Sequence, residues 1–320
     1  MKTLSIAGLS PAPSEICLGT NMFGTALGAD AAAEVLGVFF DAGGNFIDTA
    51  HSYGDWIPDI PRAASEHVLG ELLPKRRRDS YLLATKGCEF DYRAGDFAFR
   101  VSPAHLAEDL GQSLEHLKTA YIDLYWLHRD DPSRPVAEIV DALIAHRAAG
   151  RIRHFGCSNW SPARIHEAQA HAASRGEAGF AACQPMWGLA VPDPEALARF
   201  APGGYYEDGY RELHAEGLLM VPYSGQSRGY FTKLATGGRV GDDIAALYDH
   251  PANRDKLPVI REIATHHGCA INTVVLAYLC SQPLPTIPII GASSAAQLRE
   301  SLQATALRLS PSELQRLRAA

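Results

Sequence analysis

The chain has 320 residues, 47% of them hydrophobic, and a formal net charge of -7. That length would suit two domains of ~150 residues, but an α/β barrel of ~250 residues or more forms a single domain, and the apolar fraction is ample for one core. The acidic balance argues against nucleic acid or an anionic membrane as partner; the one basic run, Lys75-Arg76-Arg77-Arg78, reads as a solvated loop face.

Residues 2–15 carry Gly8 and two prolines and read as a hairpin covering one end of the domain. Eight short apolar runs then read as strands, at 16–19, 46–48, 81–84, 122–127, 155–157, 181–184, 218–221 and 286–290. Helical periods fill the gaps. The stretch 31–40 has one apolar face and stops at Gly43-Gly44. Ser102-Pro103 is an N-cap followed by a first-turn proline, and Leu106, Leu110, Leu114 and Leu117 form the inner stripe behind it. Val136, Ile139, Val140 and Leu143 repeat the pattern, and Ser161-Pro162 and Ser310-Pro311 repeat the start signal. The stretch 224–256, rich in Gly and Asp, reads as a long irregular flap. Strands separated by helix-length crossovers are parallel. Eight such units without a composition break predict a (β/α)8 TIM barrel with an N-terminal β-hairpin and an extra C-terminal helix, one domain over 1–320.

Cys17, Cys88, Cys157, Cys183, Cys269 and Cys280 contain no C-x-x-C pair and read as reduced, buried thiols of a cytoplasmic protein. The 13 histidines lack metal-site spacing, so no metal is expected. No signal peptide opens the chain, and no apolar stretch reaches the ~20 residues of a membrane span.

A barrel of this kind places its site at the C-terminal ends of the strands. Asp48 ends the second predicted strand, with Tyr53 in the loop after it. Lys86 ends the third and His128 the fourth. Together these make an acid–base device. A phenol of ordinary pKa ~10 exchanges protons poorly near neutrality, a nearby ammonium lowers that value, and a carboxylate makes burial of the ammonium tolerable. A neighbouring histidine orients and polarises a substrate oxygen.

The chain resembles the aldo-keto reductase superfamily over nearly its whole length. The likeness rests on Asp48-Thr49-Ala50-His51-Ser52-Tyr53-Gly54, Thr85-Lys86, Leu127-His128-Arg129, Gly156-Cys157-Ser158-Asn159 and Gln184. It implies an NAD(P)H-dependent oxidoreductase that moves hydride between cofactor and a carbonyl or alcohol (aldehyde, ketone or sugar). Tyr53 would be the general acid/base, Lys86 and Asp48 its tuning pair, and His128 the substrate orienter. Ser158, Asn159 and Gln184 would hold the nicotinamide carboxamide, Tyr223 would stack on its ring, and Thr20 and Asn21 would flank the cofactor with Asp48. Ser224, Gly225 and Arg228 would take the pyrophosphate. Gly291, Ser293, Gln297, Glu300 and Ser301 would surround the adenosine end. There the chain departs from a common family pattern: Gly291 and Gln297 stand where many members carry a Lys and an Arg for the 2′-phosphate, which leaves NADPH or NADH open. Met22, Trp56, Phe90, Tyr92, Trp126, Trp160 and Arg129 would form the pocket for a small neutral substrate. A nicotinamide-binding sensor with little turnover, and a barrel hydrolase or lyase, are the other readings of the same residues.

Overall fold

In this computed structural model, which describes residues 1–6, 8–95, 97–200 and 204–320, all eight apolar runs are strands. They are β1 (Cys17–Gly19), β2 (Phe46–Asp48), β3 (Leu82–Gly87), β4 (Ile122–Leu127), β5 (Ile152–Ser158), β6 (Ala182–Gln184), β7 (Leu219–Met220) and β8 (Ile289–Ile290). Successive strands from β1 to β7 pair in parallel, and β8 pairs in parallel with β1. The sheet closes between β7 and the approach to β8. Met220 bridges Thr286 in parallel, Ile287 N donates to the Met220 carbonyl (3.0 Å), and Ile289 N donates to that of Pro222 (2.9 Å). β8 is shorter than predicted because Pro288, inside the run, has no N–H for the ladder.

The strands bury two faces. Leu124 and Trp126 point into the barrel with Cys17, Phe46, Leu82 and Ile287, while Tyr125 and Leu127 face the helices. The N-terminal segment pairs antiparallel at Thr3 and Ser14, and Leu4, Ile6 and Leu9 pack onto the inner cluster. It therefore plugs the end at which the strands begin and leaves the opposite end open.

The helix-start signals hold. The Ser102, Ser161 and Ser310 side chains each accept an N–H of the first turn of the helices Pro103–His116, Pro162–Ser174 and Pro311–Ala319. The stretch 224–256 departs from expectation. It contains the short helices Tyr230–Thr236, Asp242–Tyr248 and Pro251–Arg254. Its glycines punctuate rather than loosen: Gly229 and Gly237, at φ 79° and 67°, flank the first helix, and Tyr230, Phe231, Leu247 and Tyr248 are buried. All six cysteines are free, but Cys269 and Cys280 are only partly buried. Among the described residues no single helix is long and apolar enough to cross a membrane.

Candidate active site

The pairing of β2 with β3 continues beyond the strands. Thr49 N donates to the Ala84 carbonyl and His51 N to that of Lys86, both at 2.9 Å. This holds the following loop over the open mouth, and a turn closed by Tyr53 N on the Ala50 carbonyl (3.1 Å) brings the phenol back inward. Lys86 Nζ donates to Asp48 Oδ2, to the Thr49 carbonyl (2.9 Å) and to the Tyr53 hydroxyl oxygen (2.9 Å). An ammonium has three N–H groups, so all are committed. Because the Tyr53 oxygen accepts from Lys86, its own proton is free to point elsewhere. Asp48 Oδ1 accepts from Gln184 Nε2 at 2.8 Å, which ties β6 to β2. Asp48 and Lys86 are 1% and 3% exposed.

The electrostatics correct one expectation. Burial pushes the Tyr53 phenol up, Lys86 pulls it back, and the balance lies above the ordinary value rather than below it. The proton therefore stays on Tyr53 near neutrality. Burial also works against the Lys86 cation, but Asp48 and then Tyr53 outweigh it and raise the ammonium above its ordinary value.

His128 follows β4, with its N–H on the Gly87 carbonyl (2.9 Å). Its ring stands edge-on to Tyr53, centroids 6.0 Å apart. Nδ1 is 3.3 Å from Glu89 Oε2 and 3.5 Å from Ser52 Oγ. Burial, then Lys86 and Arg129, holds the imidazole well below its usual pKa, so the ring is neutral. The sequence reading missed Glu89, which is 4% exposed. The available signal was a carboxylate in the otherwise uncharged run 87–90.

Ser158, Asn159, Gln184 and Tyr223 converge beside this group. Ser158 Oγ donates to the Gln184 carbonyl (3.0 Å), Asn159 Nδ2 to the His128 carbonyl (3.0 Å), and Tyr223 Oη to Asn159 Oδ1 (2.8 Å). Asn159 is held left-handed at φ 59°. Gly156 sits opposite Trp126 in β4, and a Cβ there would stand 2.5 Å from the indole ring.

These residues line a cleft of about 820 Å³ that runs from Tyr53 to Glu300, within the range of small-molecule and cofactor sites. Asn21, Asp48, Ser158, Asn159, Gln184, Tyr223, Ser224, Gly225, Arg228, Gly291, Ser293, Gln297 and Glu300 all reach it, as do Met22, Trp56, Tyr92 and Arg129. Lys233, Gln226 and Asn272, not foreseen from the sequence, line it too. Thr20 and Ser301 do not. Thr20 Oγ1 donates to the Asp48 carbonyl, and Ser301 Oγ accepts from Gln226 and Asn272, so both are ties behind the wall. Trp126 lies one layer below, fully buried in the barrel near Asp48, its Nε1 without a well-formed hydrogen bond. Trp160 is buried with Nε1 on the Arg129 carbonyl, and Phe90 lines a smaller neighbouring recess.

The donor set fits a nicotinamide dinucleotide. Amide and hydroxyl groups gather at the Tyr53 end. Ser224, Ser227, Arg228 and Gly229 all have left-handed backbone, a geometry that turns N–H groups toward an anion, with Arg228 and Lys233 beside them. The far end is the N-terminus of helix Ala295–Leu302.

The profile of the Aldo/keto reductase family matches residues 15–320. The chain is 29% identical over 303 residues to the aldo-keto reductase ausK of Emericella nidulans, covering 90% of this chain and 71% of that protein. It is 29% identical to the norsolorinic acid reductase stcV of the same organism (97% and 78% covered) and 25% identical to an aryl-alcohol dehydrogenase [NADP(+)] of Phanerodontia chrysosporium (89% and 74%). The crystal structure of the thermostable aldo-keto reductase Tm1743 superposes with a TM-score of 0.74 at 23% identity, covering 100% of this chain and 99% of that one. The chain belongs to the aldo/keto reductase family, and it is an NAD(P)H-dependent oxidoreductase.

Proposed function

We propose that residues 1–320 form one catalytic unit that reduces aromatic carbonyl compounds with NADH, Tyr53 donating the proton to the carbonyl oxygen. The observation that carries this is the saturation of the Lys86 ammonium by Asp48, Thr49 and Tyr53. It leaves a protonated hydroxyl facing the cleft. Bound NADH supplies the hydride. The chain's own part is to orient the substrate, exclude water and deliver the proton. Ser158, Asn159 and Gln184 are suited to a carboxamide, which needs both donors and acceptors.

An aromatic substrate is supported by a string of rings leading outward from the phenol. Tyr53 meets Trp56, Trp56 meets Tyr92, Tyr92 meets Phe97, and Phe97 and Phe99 flank Phe90, with centroids 5.9 to 6.5 Å apart. Trp56, Phe97 and Phe99 are 45%, 58% and 53% exposed. Exposed large rings gathered at a site mouth mark a binding surface.

The choice of NADH rests on the far end of the cleft. Gly291 has no side chain, Gln297 Oε1 is taken by the Ser293 N–H (2.6 Å) and hydroxyl (2.9 Å), and Glu300 adds a carboxylate. Arg228 is ion-paired to Asp243 at 2.7 Å. A dianionic 2′-phosphate meets repulsion there, whereas a ribose hydroxyl can donate to a carboxylate. The test is fluorescence titration with NADH and NADPH, followed by turnover of a panel of aryl aldehydes and ketones. NADH should bind at least ~10-fold more tightly. Failure to bind either nucleotide would refute the reading.

A further inference from the structure

We propose that Arg129 is a specificity residue of the cleft, the outer edge of its guanidinium holding a carboxylate carried by the aromatic carbonyl substrate. Resting on the activity proposed above, this narrows the substrate class to aryl aldehydes and ketones that bear a carboxylate. It departs from the neutral substrate expected from the sequence.

Arg129 follows His128 just beyond β4, and three contacts fix it. Its carbonyl accepts from Trp160 Nε1 at 3.0 Å, its Nε donates to Glu89 Oε1 at 2.9 Å, and its Cζ lies 5.3 Å from the centroid of the Phe90 ring. Glu89 Oε1 accepts from Phe90 N as well, at 3.1 Å. A proton on Glu89 therefore sits on Oε2 and leaves these contacts intact. A guanidinium has five N–H groups, of which Glu89 takes one. The Tyr92 hydroxyl stands close enough to take a second. Among the described residues neither Nη group has a well-formed hydrogen bond to the protein, yet the side chain is only 17% exposed and lines the cleft. Donors left over on a mostly enclosed cation are costly unless a ligand accepts from them.

Among the described residues four cations line the cleft: Lys86, Arg129, Arg228 and Lys233. Lys86 has no N–H to spare, and Arg228 and Lys233 belong to the segment with left-handed backbone. Arg129 is left to meet the substrate, beside the rings of Trp56 and Tyr92. A guanidinium edge carries two parallel N–H groups and matches the two oxygens of a carboxylate. The rings would hold the aryl group between that carboxylate and a carbonyl at Tyr53.

Glu89 is the group that opposes an arriving anion. Burial raises its carboxyl above the ordinary value, although Arg129 and the Phe90 N–H pull it down. A second carboxylate beside Arg129 raises it further, so Glu89 takes up a proton rather than repelling the ligand.

The test compares acids with their methyl esters, which keep ring and carbonyl but lose the charge. The full-length protein with NADH is given 3- and 4-carboxybenzaldehyde, and methyl 3- and 4-formylbenzoate. In at least one pair wild type should favour the acid by ~10-fold or more in kcat/KM, about what one charge-assisted hydrogen bond contributes, and Arg129→Met should lose that preference. Because removing Arg129 strands Glu89, the substitution is also made together with Glu89→Gln. Calorimetric titration of the NADH complex with 3- and 4-(hydroxymethyl)benzoate and their methyl esters reads the same preference without turnover. No preference for the acid in any wild-type pair overturns the proposal. So does a preference that survives in a folded variant lacking Arg129, since the carboxylate then binds elsewhere. A binding preference that disappears with Arg129 upholds it even where no aldehyde is reduced, and in that case the proposed reduction fails alone.

Discussion

Lys86 Nζ donates to the Tyr53 hydroxyl oxygen at 2.9 Å, and among the described residues the same ammonium is the only cation paired with buried Asp48. One side chain therefore serves both the proton donor and the stability of the barrel mouth. Lys86→Met should leave Asp48 as an uncompensated buried charge and cost about 3–5 kcal/mol, read from the denaturation midpoint. It should also raise the Tyr53 phenol further, since Lys86 is the group that opposes its burial. Unchanged stability would contradict the assigned pairing.

The aromatic string predicts a split between substrates. Trp56→Ala or Phe99→Ala should raise KM for aryl carbonyls several-fold while leaving small aliphatic aldehydes and NADH affinity unaffected. Both side chains are exposed, so stability should move by only about 0.5 kcal/mol. Equal losses for aromatic and aliphatic substrates would argue against stacking.

Cofactor choice should be transferable. A Cβ at Gly291 would have only Asn21 Oδ1, at 3.8 Å, within contact range, so a side chain is tolerated. The double variant Gly291→Lys, Gln297→Arg should tighten NADPH binding by about tenfold for each charge-assisted contact, with NADH little changed. Parallel titrations with both nucleotides measure this. No gain for NADPH would place the 2′ position elsewhere.

The sequence carries the strands and the Asp48–Tyr53–Lys86–His128 group well, because both rest on local signals. Apolar runs bounded by turn residues mark the strands, and strand ends project side chains to one rim. Depth was harder to read. Alternation puts Trp126 inside the barrel, but nothing local says that it lies below the cleft rather than in its wall. The helices within 224–256 escaped notice because seven residues give barely two turns of periodicity. Glu89 escaped because its neighbour, His128, is 39 positions away and reaches it only through the pairing of β3 with β4.

Helix Pro311–Ala319 offers a pH test remote from the site. Burial raises the Glu313 carboxyl, but the Ser310 backbone and hydroxyl and then His267 outweigh it and hold it at about 2, against an ordinary 4.5. A depressed carboxylate stabilises the fold fully above its unfolded value and loses that contribution as pH falls toward its folded value. The stability difference between wild type and Glu313→Gln should thus be about 1 kcal/mol at pH 6 and shrink from about pH 4.5 downward. Urea midpoints across pH 3 to 6 measure it. A difference that grows on acidification would contradict the capping box seen at Ser310.

The most direct test removes a single oxygen. Tyr53→Phe keeps the ring and its contacts but takes away the proton donor. With a saturating aryl aldehyde and NADH, kcat should fall by ~10²-fold or more, while NADH affinity from fluorescence titration stays within about twofold. A variant that turns over at the wild-type rate would show that the proton comes from another group.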